Sequence, residues 1–135
     1  MDQVAALADA AWSRGMYTVL DMHQDSFSRF LGDGCGVGFP AWVSGNEAIQ
    51  APGGKSCGSM WAVKTAFSAT MHRAYTDFFN DKHDARTHFV DMWGHVADRL
   101  KTLPGIIGYD LINEPWGDED TELTPLYEDA AWAIQ

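Results

Sequence analysis

The chain has few basic residues and no long apolar run. Its 135 residues include 9 lysines and arginines against 19 aspartates and glutamates, a formal net charge of -10. Nucleic-acid binding and adsorption to anionic membranes both depend on basic patches, so this charge argues against both kinds of partner. Because no stretch is long and apolar enough to span a bilayer, we also expect no stable membrane insertion.

Cysteine is equally scarce. Cys35 and Cys57 are the two cysteines of the chain, which allows one disulfide and excludes a four-cysteine zinc site. A disulfide between them would restrain the segment that holds them and would suit an exported enzyme, whereas two free thiols would suit a cytosolic protein. The chain begins without the basic and apolar regions of a signal peptide, so we expect any such signal to lie upstream.

Apolar residues make up 46% of the chain and aromatic residues 13%, which is too hydrophobic for a disordered protein. Hydrophobic periodicity divides the chain into alternating helices and strands. Helices are predicted over residues 2–14, 62–80, 84–101 and 123–135, and strands over residues 16–22 and 106–113. The intervening residues 23–60 show no sustained period and are predicted to form a long, ordered, functional loop.

The alternation of strands and helices predicts an α/β fold with a parallel sheet. The second strand is a near-continuous apolar run, typical of a strand buried on both faces. No G-x-G-x-x-G follows the first strand, which disfavours a dinucleotide-binding fold. Polar clusters follow both strands instead, as in a (β/α)8 TIM barrel, whose active site lies at the carboxyl ends of its strands. Two strands make only part of such a barrel, and neither end of the chain resembles a finished edge, so we expect a fragment.

The cluster after the second strand contains Asn113 and Glu114. A glutamate at the mouth of a parallel sheet can have its pKa raised by burial, which suits a general acid in glycoside hydrolysis. The Asn113 amide could bind a sugar hydroxyl. A solvated glutamate in a simple turn is the competing interpretation of the same residues.

The cluster after the first strand contains Asp21, His23 and Asp25, which would share one face if the strand continued. That arrangement fits metal ligands as well as substrate-binding groups. A metal-dependent phosphoesterase is therefore one alternative, with Asn113 as a further ligand. A structural histidine at a strand end is another. Four more histidines fall on or beside predicted helices at spacings typical of solvated residues: His72, His83, His88 and His95.

The sequence at both strand ends resembles glycoside hydrolase family 5, in its endoglycoceramidase-like branch. The resemblance rests on YTVLDMHQDSFSRF at residues 17–30, PAWV at 40–43 and GYDLINEPWGDE at 108–119. It covers nearly the whole chain, which would form the region of the third and fourth barrel strands within one catalytic domain, residues 1–135. The resemblance implies an O-glycosyl hydrolase of carbohydrates or glycolipids that needs no cofactor or metal.

Residue by residue, the resemblance implies that Glu114 is the general acid/base. It implies substrate-binding roles for Asn113, His23 and Asp25. Two tryptophans, Trp42 and Trp116, could form aromatic walls, although core packing is the competing interpretation for each. A non-catalytic carbohydrate-binding domain that uses the tryptophans is a further alternative.

The nucleophile of the family follows the seventh strand, which the resemblance places outside this chain. Asp110 is a poor substitute because strand alternation separates it from Glu114. The acidic run of Glu119, Asp120 and Glu122 is predicted to be a solvated helix start. We therefore expect the isolated 135 residues to be poorly folded and inactive. Glycolipids, steryl glucosides and β-glucans all fit as substrates, and an extracellular or periplasmic location is favoured.

Overall fold

A computed structural model describes residues 1–31, 35–44, 60, 63 and 67–135. The main elements, in chain order, are helix α1 (Asp2–Trp12), strand β1 (Thr18–Asp21), helices α2 (Ala69–Phe79) and α3 (Ala85–Leu100), strand β2 (Ile106–Asp110) and helix α4 (Thr124–Ile134). Short 3-10 helices span Ala41–Ser44 and Lys82–Asp84, and a π-helical turn spans Glu119–Leu123. The order of helices and strands confirms the prediction, with shorter strands than expected.

The two strands pair in parallel, which confirms the predicted sheet. Their register aligns Asp21 with Asp110, so both strands end at the same edge. Two backbone hydrogen bonds continue the pairing past this point: Met22 N–H donates to the Asp110 carbonyl at 3.0 Å, and Asn113 N–H donates to the Met22 carbonyl at 3.3 Å. The segments that follow β1 and β2 therefore leave the sheet together.

The expectation that β2 is buried on both faces is wrong for this chain. Ile107 in β2 is 62% exposed, and Val19 in β1 is 56% exposed. The apolar run predicts that β2 is covered on both sides by other parts of a larger sheet. Within the described residues, however, the sheet has two strands only. Across the described residues, the face of the pair that carries Val19 and Ile107 is therefore exposed, while the other face packs against the core.

The core lies between the sheet and helices α2, α3 and α4. Trp93 of α3 is 1% exposed, and its indole N–H donates to the Leu111 carbonyl at 3.0 Å, just before the second polar cluster. The acidic run before α4 starts the helix as predicted. The Asp118 carboxylate accepts the Thr121 N–H at 2.9 Å, and the Glu122 carboxylate accepts the Asp118 N–H at 2.7 Å.

The long segment after β1 is folded wherever the structure describes it. Asp25 and Val37 exchange backbone hydrogen bonds of 2.9 Å in each direction, which closes a loop. Phe27 inside that loop is fully buried, stacks on Phe39 at 4.4 Å and meets the Tyr75 ring edge-on at 5.0 Å.

Two further sequence expectations concern the cysteines and membrane insertion. Cys35 is disulfide-bonded, while Cys57 lies outside the described residues. A helix long and apolar enough to cross a bilayer is not found in the described parts of the chain.

Candidate active site

The two polar clusters predicted from the sequence lie side by side. The Asn113 side-chain amide donates a hydrogen bond to the Gln24 carbonyl at 2.9 Å, and the Gln24 side-chain amide donates to the Asn113 carbonyl. The segment that carries His23 and Asp25 is thereby joined to the segment that carries Glu114. This bond uses one hydrogen of the Asn113 side-chain amide, which has two.

Alternation continues beyond the last residue of β1. Gln24 is buried, Met22 is half-buried, and Asp21 and His23 are exposed. The predicted cluster therefore forms although the strand itself ends at Asp21. Asp25 pairs through its backbone with Val37, and its side chain is 40% exposed, as is that of Asp21.

His23 lies between two carboxylates. Its Nδ1 is 2.8 Å from an Asp21 carboxylate oxygen, and its Nε2 is 3.4 Å from an Asp25 carboxylate oxygen. The hydrogen bond with Asp21 raises the pKa of His23, and the negative charges of Asp21 and Asp25 add to that effect. These contacts favour the imidazolium, which would present its Nε2–H toward Asp25.

The same contacts bear on the metal alternative. A histidine ligand binds a cation through an unprotonated ring nitrogen, but both His23 nitrogens face carboxylates. Across the residues described by the structure, no group of three or more histidine, cysteine, aspartate or glutamate side chains is arranged to hold a metal ion.

Glu114 is exposed, so the burial expected from the sequence is not provided by the described residues. It follows the carboxyl end of β2, in a sheet that has two strands within the described part of the chain. Its backbone is in the left-handed region, with φ of 39°. Such a conformation is strained for a residue with a side chain and persists only where the surrounding structure holds it.

Two residues that the sequence did not single out belong to this region. Gln24 is 4% exposed and bridges the two segments. Tyr75 of α2 is 2% exposed, and within the described residues its hydroxyl has no hydrogen-bond partner. Burial raises the pKa of Tyr75, and the nearby Asp25 and Glu114 carboxylates raise it further. Strand-like alternation was a signal for Gln24, whereas nothing local indicated Tyr75.

The two candidate wall residues differ. Trp42 is half-buried and, together with His23, lines an open, mainly apolar cavity of about 270 Å³. Trp116 is 45% exposed and packs edge-on against the His72 ring at 4.6 Å. Neither ring is fully buried in the core. The histidines on or beside the predicted helices, His72, His83, His88 and His95, are all exposed.

Comparison with known proteins covers the whole chain. The model of the family described as cellulase (glycosyl hydrolase family 5) matches residues 1–135. Endoglycoceramidase I of Rhodococcus hoagii is 30% identical over 121 residues, which are 86% of this chain and 22% of that protein. Endoglycoceramidase of Hydra vulgaris is 26% identical over 130 residues, which are 84% of this chain and 25% of that protein. The chain thus spans about a quarter of the length of these curated relatives.

Solved structures of related enzymes also match this chain along nearly its whole length. The chain matches endo-glycoceramidase II from Rhodococcus sp., solved as a lactosyl-enzyme intermediate, with a TM-score of 0.78 and 25% identity. The match covers 98% of this chain and 33% of that one. A crystal structure of endogalactoceramidase matches with a TM-score of 0.76 and 26% identity, covering 98% of this chain and 32% of that one. These matches confirm the predicted fold class, part of a (β/α)8 barrel.

Proposed function

Because the chain belongs to glycosyl hydrolase family 5, we propose that it is part of the catalytic domain of a retaining β-glycosidase that cleaves glycolipids. Glu114 is the general acid/base, and Asn113, His23 and Asp25 bind the sugar at the cleavage point. The observation that carries the proposal is the direct hydrogen bonding between the two strand-end segments, which places these four residues at one edge of the parallel pair.

The proposed reaction proceeds in two steps. Glu114 protonates the glycosidic oxygen while a second carboxylate attacks the anomeric carbon, and a covalent glycosyl-enzyme forms as the aglycone leaves. Glu114, now ionised, removes a proton from water, which attacks the same carbon and releases the sugar with retained configuration. A relative solved as a lactosyl-enzyme intermediate supports the covalent route.

The second carboxylate comes from a segment beyond these 135 residues. Retaining enzymes hold their two carboxyl groups about 5–5.5 Å apart. Asp110 aligns with Asp21 within the paired strands, before the segment that carries Glu114. Glu119 starts the π-helical turn before α4, where the acidic run has a capping role. The chain spans about a quarter of the length of its curated relatives, which supports a second carboxylate supplied from elsewhere in the complete protein.

Two observations favour a glycolipid over a polysaccharide. The relatives above include endoglycoceramidases, whose names denote ceramide glycosides. The cavity beside His23 is lined mainly by apolar side chains such as Phe39, Trp42 and Met92, which suits a lipid aglycone better than a second sugar. A non-catalytic sugar-binding role would give no reason for the strained backbone of Glu114.

The substrate class is tested with the complete protein that contains this chain. Equal concentrations of a β-glucosylceramide and a β-glucan oligosaccharide are offered, and released sugar is followed by NMR. We expect the ceramide glycoside to be hydrolysed faster, with the β-anomer appearing first. Initial release of the α-anomer would contradict the retaining mechanism, and preferential cleavage of the glucan would contradict the glycolipid assignment.

A further inference from the structure

Gln24 is the buried residue between two exposed or half-exposed members of the proposed sugar site, His23 and Asp25. Its side chain points into the protein and is 4% exposed. A primary amide buried to this extent needs partners for both of its ends, because an unpaired buried polar group is costly. The hydrogen-bond partners of the Gln24 side chain therefore indicate its role.

Both ends of the Gln24 amide are occupied by backbone groups. Its Nε2 donates to the Asn113 carbonyl at 2.5 Å and to the Glu114 carbonyl at 3.3 Å. Its Oε1 accepts the Phe27 N–H at 2.7 Å. The side chain therefore connects the residue proposed as acid/base to the loop after β1, across about ninety positions of sequence.

The backbone is strained on both sides of this amide. Glu114 has φ of 39°, and Ser26 and Phe27 have φ of 59° and 64°. Non-glycine residues hold such conformations only where neighbouring contacts fix them. Gly38 provides the space for these contacts, because a Cβ at that position would lie 2.5 Å from the Gln24 Cβ.

We propose that Gln24 is a positioning residue that fixes the backbone of Glu114 and thereby the direction of its carboxyl group. The inference rests on the proposed function of Glu114. A general acid must lie within hydrogen-bond reach of the leaving oxygen, and a displacement of about 1 Å can cost on the order of 100-fold in rate. Removing the Gln24 amide donor releases the Glu114 carbonyl. We therefore expect the largest loss in the step in which Glu114 donates a proton to the leaving group.

The test uses the complete protein and two substrates that share a sugar. One has a poor leaving group that needs a proton, and the other has an activated aryl leaving group that does not. In Gln24→Met we expect kcat/KM to fall about 10- to 100-fold on the poor leaving group and less than about 3-fold on the activated one. An exposed glutamine of α1 gives the control, Gln3→Met, which should change neither value.

A second variant covers the case in which Gln24→Met does not fold. Gln24→Glu keeps the acceptor for the Phe27 N–H, but its ionised form turns an oxygen toward two carbonyl oxygens. Its protonated form can donate as the amide does, so activity relative to wild type should recover as the pH is lowered. A Gln24→Glu pH profile parallel to that of wild type would overturn the proposal.

The outcomes separate the two claims. Equal losses on both substrates in Gln24→Met, or no loss on either, would show that Gln24 does not act through Glu114. In Glu114→Gln, adding Gln24→Met should have little further effect on the poor leaving group; additive losses would also overturn the proposal. If Glu114→Gln itself does not discriminate between leaving groups, the proposed function fails instead.

Discussion

Replacing Tyr75 by phenylalanine should make the protein more stable. Tyr75 is 2% exposed, and its hydroxyl is buried with no hydrogen-bond partner in the described residues. Its ring packs edge-on against Phe27 at 5.0 Å and stacks on Phe79 at 6.3 Å. Phenylalanine keeps the ring and both aromatic contacts. It removes only the buried hydroxyl, which is hydrated in the unfolded chain.

The size of the effect follows from the cost of an unpaired buried polar group, about 1–3 kcal/mol. Burial, together with the negative charges of Asp25 and Glu114, raises the pKa of Tyr75, so the phenol is uncharged at ordinary pH and its removal changes no charge. Allowing for the small void that the lost oxygen leaves, we expect Tyr75→Phe to raise the free energy of unfolding by about 1 kcal/mol.

The assay is equilibrium urea unfolding, or a thermal scan, of the complete protein. For a domain of barrel size, about 1 kcal/mol corresponds to a rise in Tm of about 2–4 °C. Tyr17 is 63% exposed and provides the matched control, since Tyr17→Phe should change stability by less than about 0.5 kcal/mol. A loss of stability of about 1 kcal/mol or more in Tyr75→Phe would refute the reasoning, because it would show that the hydroxyl has a partner.

Four further predictions concern the same region. Asp21→Asn should lower the pKa of His23, measured by NMR titration of the imidazole, because it removes the hydrogen bond that raises that pKa; an unchanged titration would contradict the assigned contact. Since the folded-state pKa of His23 is raised, its contribution to stability should be present below about pH 6.5 and be lost as pH rises through the folded pKa, more so in wild type than in Asp21→Asn. Treatment with EDTA should leave hydrolysis unchanged, since both His23 nitrogens face carboxylates, and metal-restorable loss of activity would favour the phosphoesterase alternative. Trp93→Phe should lower the free energy of unfolding by about 2 kcal/mol in urea titrations, because the Leu111 carbonyl loses its indole donor; no loss would show that this bond is not needed.

The elements and the two polar clusters were predictable because their signals are local. Hydrophobic period and strand alternation act over a few residues, and they located the helices, both strands and the segments around His23 and Glu114. Alternation even extends past Asp21, where the strand ends. The parallel pairing followed from the helices that separate the strands.

What could not be predicted depends on contacts distant in sequence. The two carbonyl groups that accept hydrogen bonds from the Gln24 Nε2 lie 89 and 90 positions away, and no local pattern marks them. Glu114 precedes a proline, which normally favours extended backbone, yet its φ is 39°. The exposure of Ile107 was not predicted, because an apolar run indicates only that a strand is suited to burial. It does not show whether the same chain contains the segments that would cover the strand.

The most direct test of Glu114 as the acid/base is leaving-group dependence in the complete protein. Glu114→Gln should lower kcat/KM by about 100-fold or more on a substrate with a poor leaving group and far less on one with an activated aryl group. The control is Glu119→Gln, an exposed glutamate of the π-helical turn, which should behave as wild type. Wild-type kcat/KM for Glu114→Gln on the poor leaving group would contradict the assignment.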